Sequence, residues 1–106
     1  MAQRTKDQLS DSQLQEVARL MGALSEVARL RLLRELMQGE RTVSELTEAT
    51  GMKQGNVSKH LGLLLVAGVV SRRQEGNFAK YALVDGTVTQ LCALVCGRMY
   101  GDRAPS

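Results

Sequence analysis

A mainly α-helical domain carrying one β-hairpin, in the order α-α-α-α-β-β-α, is the fold class this sequence predicts. Three observations predict it. Apolar residues recur at helical spacing in stretches starting at Leu14, Leu30, Val43, Val57 and Val88. Before the last of these lies VVSRRQEGNFAKYALV, a β-branched and aromatic run broken at Gly76-Asn77, a pair that turns a hairpin between extended segments. Finally, 106 residues suffice for one ordinary domain and not for two, so these elements must share one core. Only 3% of the residues are aromatic, against 43% hydrophobic in all, which leaves Leu, Val, Ala and Met to build that core. So small a domain often gains stability as an oligomer.

Taken in order, residues 1–8 are polar and aperiodic and predict a flexible start; the domain is expected over 9–100, followed by a loose tail at 101–106. Ser10 or Asp11 can cap a first helix whose stripe is Leu14, Val17, Ala18, Met21 and Leu24. Ser25 is the expected N-cap of a second helix, with Leu30, Leu33, Leu36 and Met37 inward, Arg29, Arg31, Arg34 and Glu35 outward, and a stop at Gly39. Thr42 and Glu45 form a capping box that opens a short third helix with Val43, Leu46 and Ala49 on one side. Gly51 stands where the chain must turn left-handed, which a Cβ resists. A fourth helix buries Val57, Leu61, Leu64 and Leu65 and stops at Gly68. In the hairpin Tyr81 and Leu83 alternate with Lys80 and Ala82, so one face packs. Asp85 or Thr87, the latter with Gln90 in a Thr-x-x-Gln box, caps a last helix striped with Val88, Leu91, Cys92, Val95, Cys96 and Met99. The other elements already complete a small core, so a second copy of the chain is the expected cover for this stripe. Gly97 and Gly101 would let another helix approach closely, at some cost in helix stability.

The third and fourth helices, joined by a tight turn, read as a helix-turn-helix. Opposite the buried stripe the fourth helix shows Gln54, Asn56, Ser58, Lys59 and His60, side chains that suit base edges and phosphates better than a core. A hairpin placed directly after such a helix is a wing, and Arg72, Arg73 and Lys80 lie along it, within reach of phosphates or a minor groove. The charge agrees. From Gly51 to Tyr81, Lys53, Lys59, Arg72, Arg73 and Lys80 stand against Glu75 alone, a local +4 in a chain of net +3. A polyanion is the partner this placement favours. No run approaches the ~20 apolar residues of a membrane span. The N-terminus lacks the hydrophobic core of a secretion signal, and two cysteines without an export signal fit free thiols in a reducing compartment. The expected location is the cytoplasm. A Gly-rich phosphate loop, a Gly-x-Ser-x-Gly elbow and a carboxylate pair with an evident pocket are all missing from the sequence. No enzyme is expected.

ARLRLLRELMQGERTVSEL, followed by TGMKQGNVSKHLGLLLVAGVVSRRQEGNFAKYAL, resembles the ArsR/SmtB-type winged-helix transcriptional regulators. The likeness runs over roughly residues 20–84 and is most specific at Asn56-Val57-Ser58-Lys59-His60-Leu61, Ala67-Gly68-Val69-Val70 and Arg73-x-Glu75-Gly76 leading to Tyr81-x-Leu83. It implies a homodimer paired through its first and last helices, binding double-stranded operator DNA as a repressor until an inducer releases it. Two-fold symmetry makes the operator an inverted repeat. It also implies major-groove roles for Gln54, Asn56, Ser58, Lys59 and His60. Members normally carry Ser or Thr where Lys53 and Gly55 stand here; the change removes a helix cap and adds a cation suited to a phosphate. The metal sites of that family are not matched. Thr42-Val43-Ser44 replaces its third-helix Cys-x-Cys, and Asp85-Gly86-Thr87 replaces its last-helix Asp-x-His.

Cys92 and Cys96 remain as inducer-sensing candidates. One helical turn apart, their Cβ atoms are roughly 6 Å from each other, against about 3.8 Å in a disulfide, so they cannot bond without unwinding. As a pair they suit a soft ion such as As(III), or Zn(II) with ligands from a second subunit, or reaction with oxidants or sulfane sulfur. Persulfide-sensing members of the family place one cysteine on the second helix and one on the last, which this pair does not do. The competing reading makes both cysteines small hydrophobes in a dimer interface. Two further alternatives stand beside a thiol-sensing repressor: a winged-helix regulator with an organic ligand or none, and a winged helix that binds protein.

Overall fold

A computed structural model describes residues 9–101; the expected flexible start at 1–8 and the tail beyond Gly101 lie outside them. The elements are α1 (Asp11–Ala23), α2 (Val27–Leu36), β1 (Arg41–Thr42), α3 (Val43–Thr50), α4 (Gln54–Val66), β2 (Val70–Glu75), β3 (Phe78–Leu83) and α5 (Thr87–Tyr100). The predicted order of five helices and a hairpin is therefore present. The two-residue strand β1 was not expected from the sequence. It pairs antiparallel with β3, Arg41 opposite Tyr81 and Thr42 opposite Lys80, giving a sheet of order β1-β3-β2.

Leu32, Leu33 and Leu36 of α2, Leu46 of α3, and Val57, Leu61 and Leu64 of α4 form the core, closed by Val69 just before β2 and by Val70 and Tyr81 of the sheet. Leu30, expected inward, is instead 39% exposed, and Leu32 takes its place. Ala49 faces solvent, leaving α3 to hold on mainly through Leu46.

Caps decide the element boundaries. Ser10 and Gln13 close a capping box on α1, and Thr42 and Glu45 close one on α3. Gly51 takes φ 75° and ends α3 in the left-handed region. Ser25 does not cap α2: its hydroxyl donates to the Gly22 carbonyl at 2.8 Å, and Glu26 is the N-cap without a side-chain bond. The Thr87–Gln90 box does not form either. Thr87 is already the first helical residue, and its amide donates to the Asp85 carboxylate at 2.9 Å.

The outer helices are thinly buried. Of α1 only Ala23 is buried, and of α5 only Val88. Leu14, Val17 and Met21 on α1, and Leu94, Val95, Met99 and Tyr100 on α5, all face solvent. No helix of the described residues is long and apolar enough to cross a membrane.

Candidate nucleic-acid interface

α4 is mounted by its leucines. Val57, Leu61 and Leu64 are completely buried, while Gln54, Asn56, Ser58 and Lys59 on the opposite side are exposed. Lys53, also exposed, is the N-cap of α4, and its side chain makes no capping bond. The first turn thus leaves amides free for another acceptor.

His60 departs from the expectation for this face. It is only 9% exposed, inside the protein rather than on the outward side. The spacing explains why: three residues after Val57 and four before Leu64, it shares their stripe. Its Nδ1 lies 3.2 Å from Nη1 of Arg29. Arg29 too was expected outward, yet its side chain is 12% exposed. Its Nε donates to the Ala23 carbonyl at 2.7 Å and its Nη2 to that of Gly22 at 3.3 Å, while Nη1 also pairs with Glu26 at 2.9 Å.

On the wing, alternation divides the cations. Arg73 pairs in register with Lys80 and Arg72 with Tyr81, so Arg73 and Lys80 share one face and Arg72 occupies the other. The first face is self-neutralised. Glu40, which precedes β1, holds Arg73 in a two-pronged pair at 2.8 and 2.9 Å, and Glu75 accepts from Lys80 at 2.8 Å. Hydrogen bonding from Arg73 keeps the Glu40 carboxyl below the usual range, and Lys80 does the same to Glu75. Glu40 is a partner that the local sequence could not reveal, since β1 brings it there from 33 residues away. Arg72 has only the neutral Gln74 amide, at 3.3 Å. Among the described residues Lys53, Lys59 and Arg72 have no carboxylate partner within salt-bridge distance.

Cys92 and Cys96 lie half-buried on α5, outside the helix-turn-helix and wing. Both line a largely apolar cavity of about 240 Å³ with Leu24, Leu30, Leu91 and Val95. Burial, and secondarily Cys96, pushes the Cys92 thiol up from its ordinary value. The described residues contain no cluster of three or more His, Cys, Asp or Glu side chains able to hold a metal.

Residues 26–72 match the model of the bacterial regulatory protein, arsR family. The chain is 40% identical over 77 residues to a Streptomyces lividans protein named "Probable mercury resistance operon repressor", covering 73% of this chain and 62% of that one. It is 34% identical over 90 residues to an uncharacterized HTH-type transcriptional regulator of Mycobacterium tuberculosis, covering 81% and 79% of the two. Among solved structures, the homodimeric winged helix-turn-helix DNA-binding domain from Mycobacterium bovis superposes with a TM-score of 0.80 at 32% identity over 100% of both chains. The transcriptional repressor BigR from Xylella fastidiosa gives 0.73 at 30% identity, over 88% of this chain and 94% of that one. Fold, helix-turn-helix and sequence agree, and the chain belongs to the arsR family of bacterial regulatory proteins as a winged helix-turn-helix DNA-binding transcriptional regulator.

Proposed function

We propose that this regulator is a cytoplasmic homodimeric repressor that lays α4 of each subunit into the major groove of an inverted-repeat operator. The observation that carries this reading is the division of α4 into a buried Val57–Leu61–Leu64 face and an exposed Gln54–Asn56–Ser58–Lys59 face. Gln54 and Asn56 suit base edges, where an amide can make a bidentate pair. Ser58, Lys53, Lys59 and Arg72 suit phosphates. Arg73 and Lys80 can join them only by exchanging a carboxylate for a phosphate, and His60 acts from behind the helix. The exposed apolar faces of α1 and α5 favour the dimer, in line with the M. bovis domain described as homodimeric. The test is a gel shift of the protein's own promoter fragment across a salt series. Binding that weakens steeply with salt, with a footprint of two symmetric half-sites about 10 base pairs apart, is the expected result. A protein that ignores DNA and instead retains another protein would favour the protein-binding alternative.

The cavity under Cys92 and Cys96 favours a thiol-sensed inducer over a purely structural role for the pair. Both thiols open into one apolar space next to the α1–α2 corner, so a ligand there would touch the helices expected to pair the subunits. Two thiols suit As(III) or another soft ion; Zn(II), which takes four ligands, would need more from the second subunit. Release of DNA by arsenite or zinc, abolished by C92S/C96S, is the expected outcome. Equal release from the double variant would leave the cysteines as packing, and no release of either protein by these ions would point to an organic ligand or none.

A further inference from the structure

The packing of α4 has one feature that the leucine face does not supply. Apolar contacts are non-directional, so Val57, Leu61 and Leu64 keep the helix buried while tolerating small slides and rotations. Direction comes from the polar network behind it. The Arg29 guanidinium uses all three of its nitrogens: on Ala23 and Gly22, whose carbonyls end α1, on Glu26 at the start of α2, and on His60 of α4. Arginine has no acceptor, so Nδ1 of His60 carries the lone pair and Nε2 the hydrogen. The carbonyl end of a helix also favours a cation. One side chain therefore ties the C-terminus of α1 to the middle of α4. α1 bears part of the exposed apolar face, so this tie runs from a dimer-forming element to the groove-entering one.

We infer that Arg29 is a positioning residue for operator recognition, setting the rotation and seating of α4 through His60. The inference rests on α4 being the helix that enters the groove. The two reading helices of a dimer must arrive about 34 Å apart, and a helix free to shift on its leucines would arrive less well placed. Lysine cannot replace Arg29, because an ammonium offers three donors at one point where four acceptors surround a planar fork.

A double-mutant cycle in the full chain tests this, with affinity for the promoter fragment and for a random duplex as paired readouts. Arg29→Met and His60→Leu are each expected to cost roughly ten-fold in specific affinity. The two together should cost no more than either alone. Non-specific affinity, which comes from phosphates, should stay within about two-fold. His60→Gln, which keeps an acceptor, should restore specific binding, and Arg29→Lys should not. Should Arg29→Met fail to fold, Arg29→Lys takes its place in the cycle. Losses that multiply, or that fall equally on specific and random DNA, would overturn the inference, as would normal binding by His60→Leu. If Gln54→Ala and Asn56→Ala also leave discrimination untouched, it is the reading of α4 itself that has failed.

Discussion

Lys59 and Arg72 present charges that no carboxylate of the described residues neutralises, whereas Gln54 and Asn56 of α4 present exposed neutral amides. The two kinds of residue should fail differently. Lys59→Ala and Arg72→Ala should weaken binding to every sequence and flatten the salt dependence by about 0.9 per lost phosphate contact, as read from binding isotherms over a salt series. Gln54→Ala and Asn56→Ala should leave that slope alone and relax discrimination by about 1–3 kcal/mol per lost base pair contact, as measured on operator variants. Cys92 makes a third prediction. Its thiol is raised by burial and stays protonated at neutral pH, so a metal ion must displace the proton. Zinc-driven release should therefore strengthen as pH rises from about 6 to 8, followed by the same gel shift, whereas arsenite, whose hydroxides leave with the thiol protons as water, should show no such dependence. At this scale the exposed half of α4 was readable from polarity alone. His60 and Arg29 were not, because a polar residue on a buried stripe is informative only once its hydrogen-bond partner is located.

Among the elements, the wing departs furthest from a simple basic arm. Its outer face pairs Arg73 with Glu40 and Lys80 with Glu75, leaving Arg72 alone on the other side. Glu40→Gln should free Arg73, raise DNA affinity and steepen the salt dependence by up to about 0.9, measured by the same isotherms. Since Arg73 holds the Glu40 carboxyl below its ordinary value, the pair persists at neutral pH and is lost only as acid takes the carboxylate below the ordinary range. The hairpin itself, the box at Thr42 and the left-handed stop at Gly51 were legible, since each is written in residues that touch in sequence. β1 was not. Two residues carry no periodicity, and their strand character comes wholly from β3 alongside. The caps at Ser25 and Thr87 misled for a related reason: a hydroxyl near a helix start has several acceptors and donors within reach, and only the path of the chain selects one.

For the molecule as a whole, the thin burial of α1 and α5 is the deciding observation. An exposed Leu94, at 73%, and an exposed Met99, at 63%, form part of a solvent-facing apolar surface that a monomer would have no reason to keep. Leu94→Asp is expected to shift the protein towards monomers in sedimentation, and to lower operator affinity because each half-site must then be bound alone. The monomer's own core does not include Leu94, so the thermal transition at high protein concentration should report lost association rather than a damaged interior. The need for a second copy was visible in the sequence as a surplus of apolar stripe over available core. Which residues of that surplus lie outermost was not, since periodicity gives a face and not its depth.

The short strand β1 has an effect beyond its size. By joining β3 it stitches the middle of that strand to the residue that caps α3, for Thr42 both pairs with Lys80 and opens that helix. A swinging hairpin would have to tear this seam and unseat α3 with it. Hairpin and helix-turn-helix therefore form one pre-shaped body, with the ordering entropy already spent when the chain folds. Encounter should then proceed at a speed governed by charge and orientation, without a wait for the arm to settle.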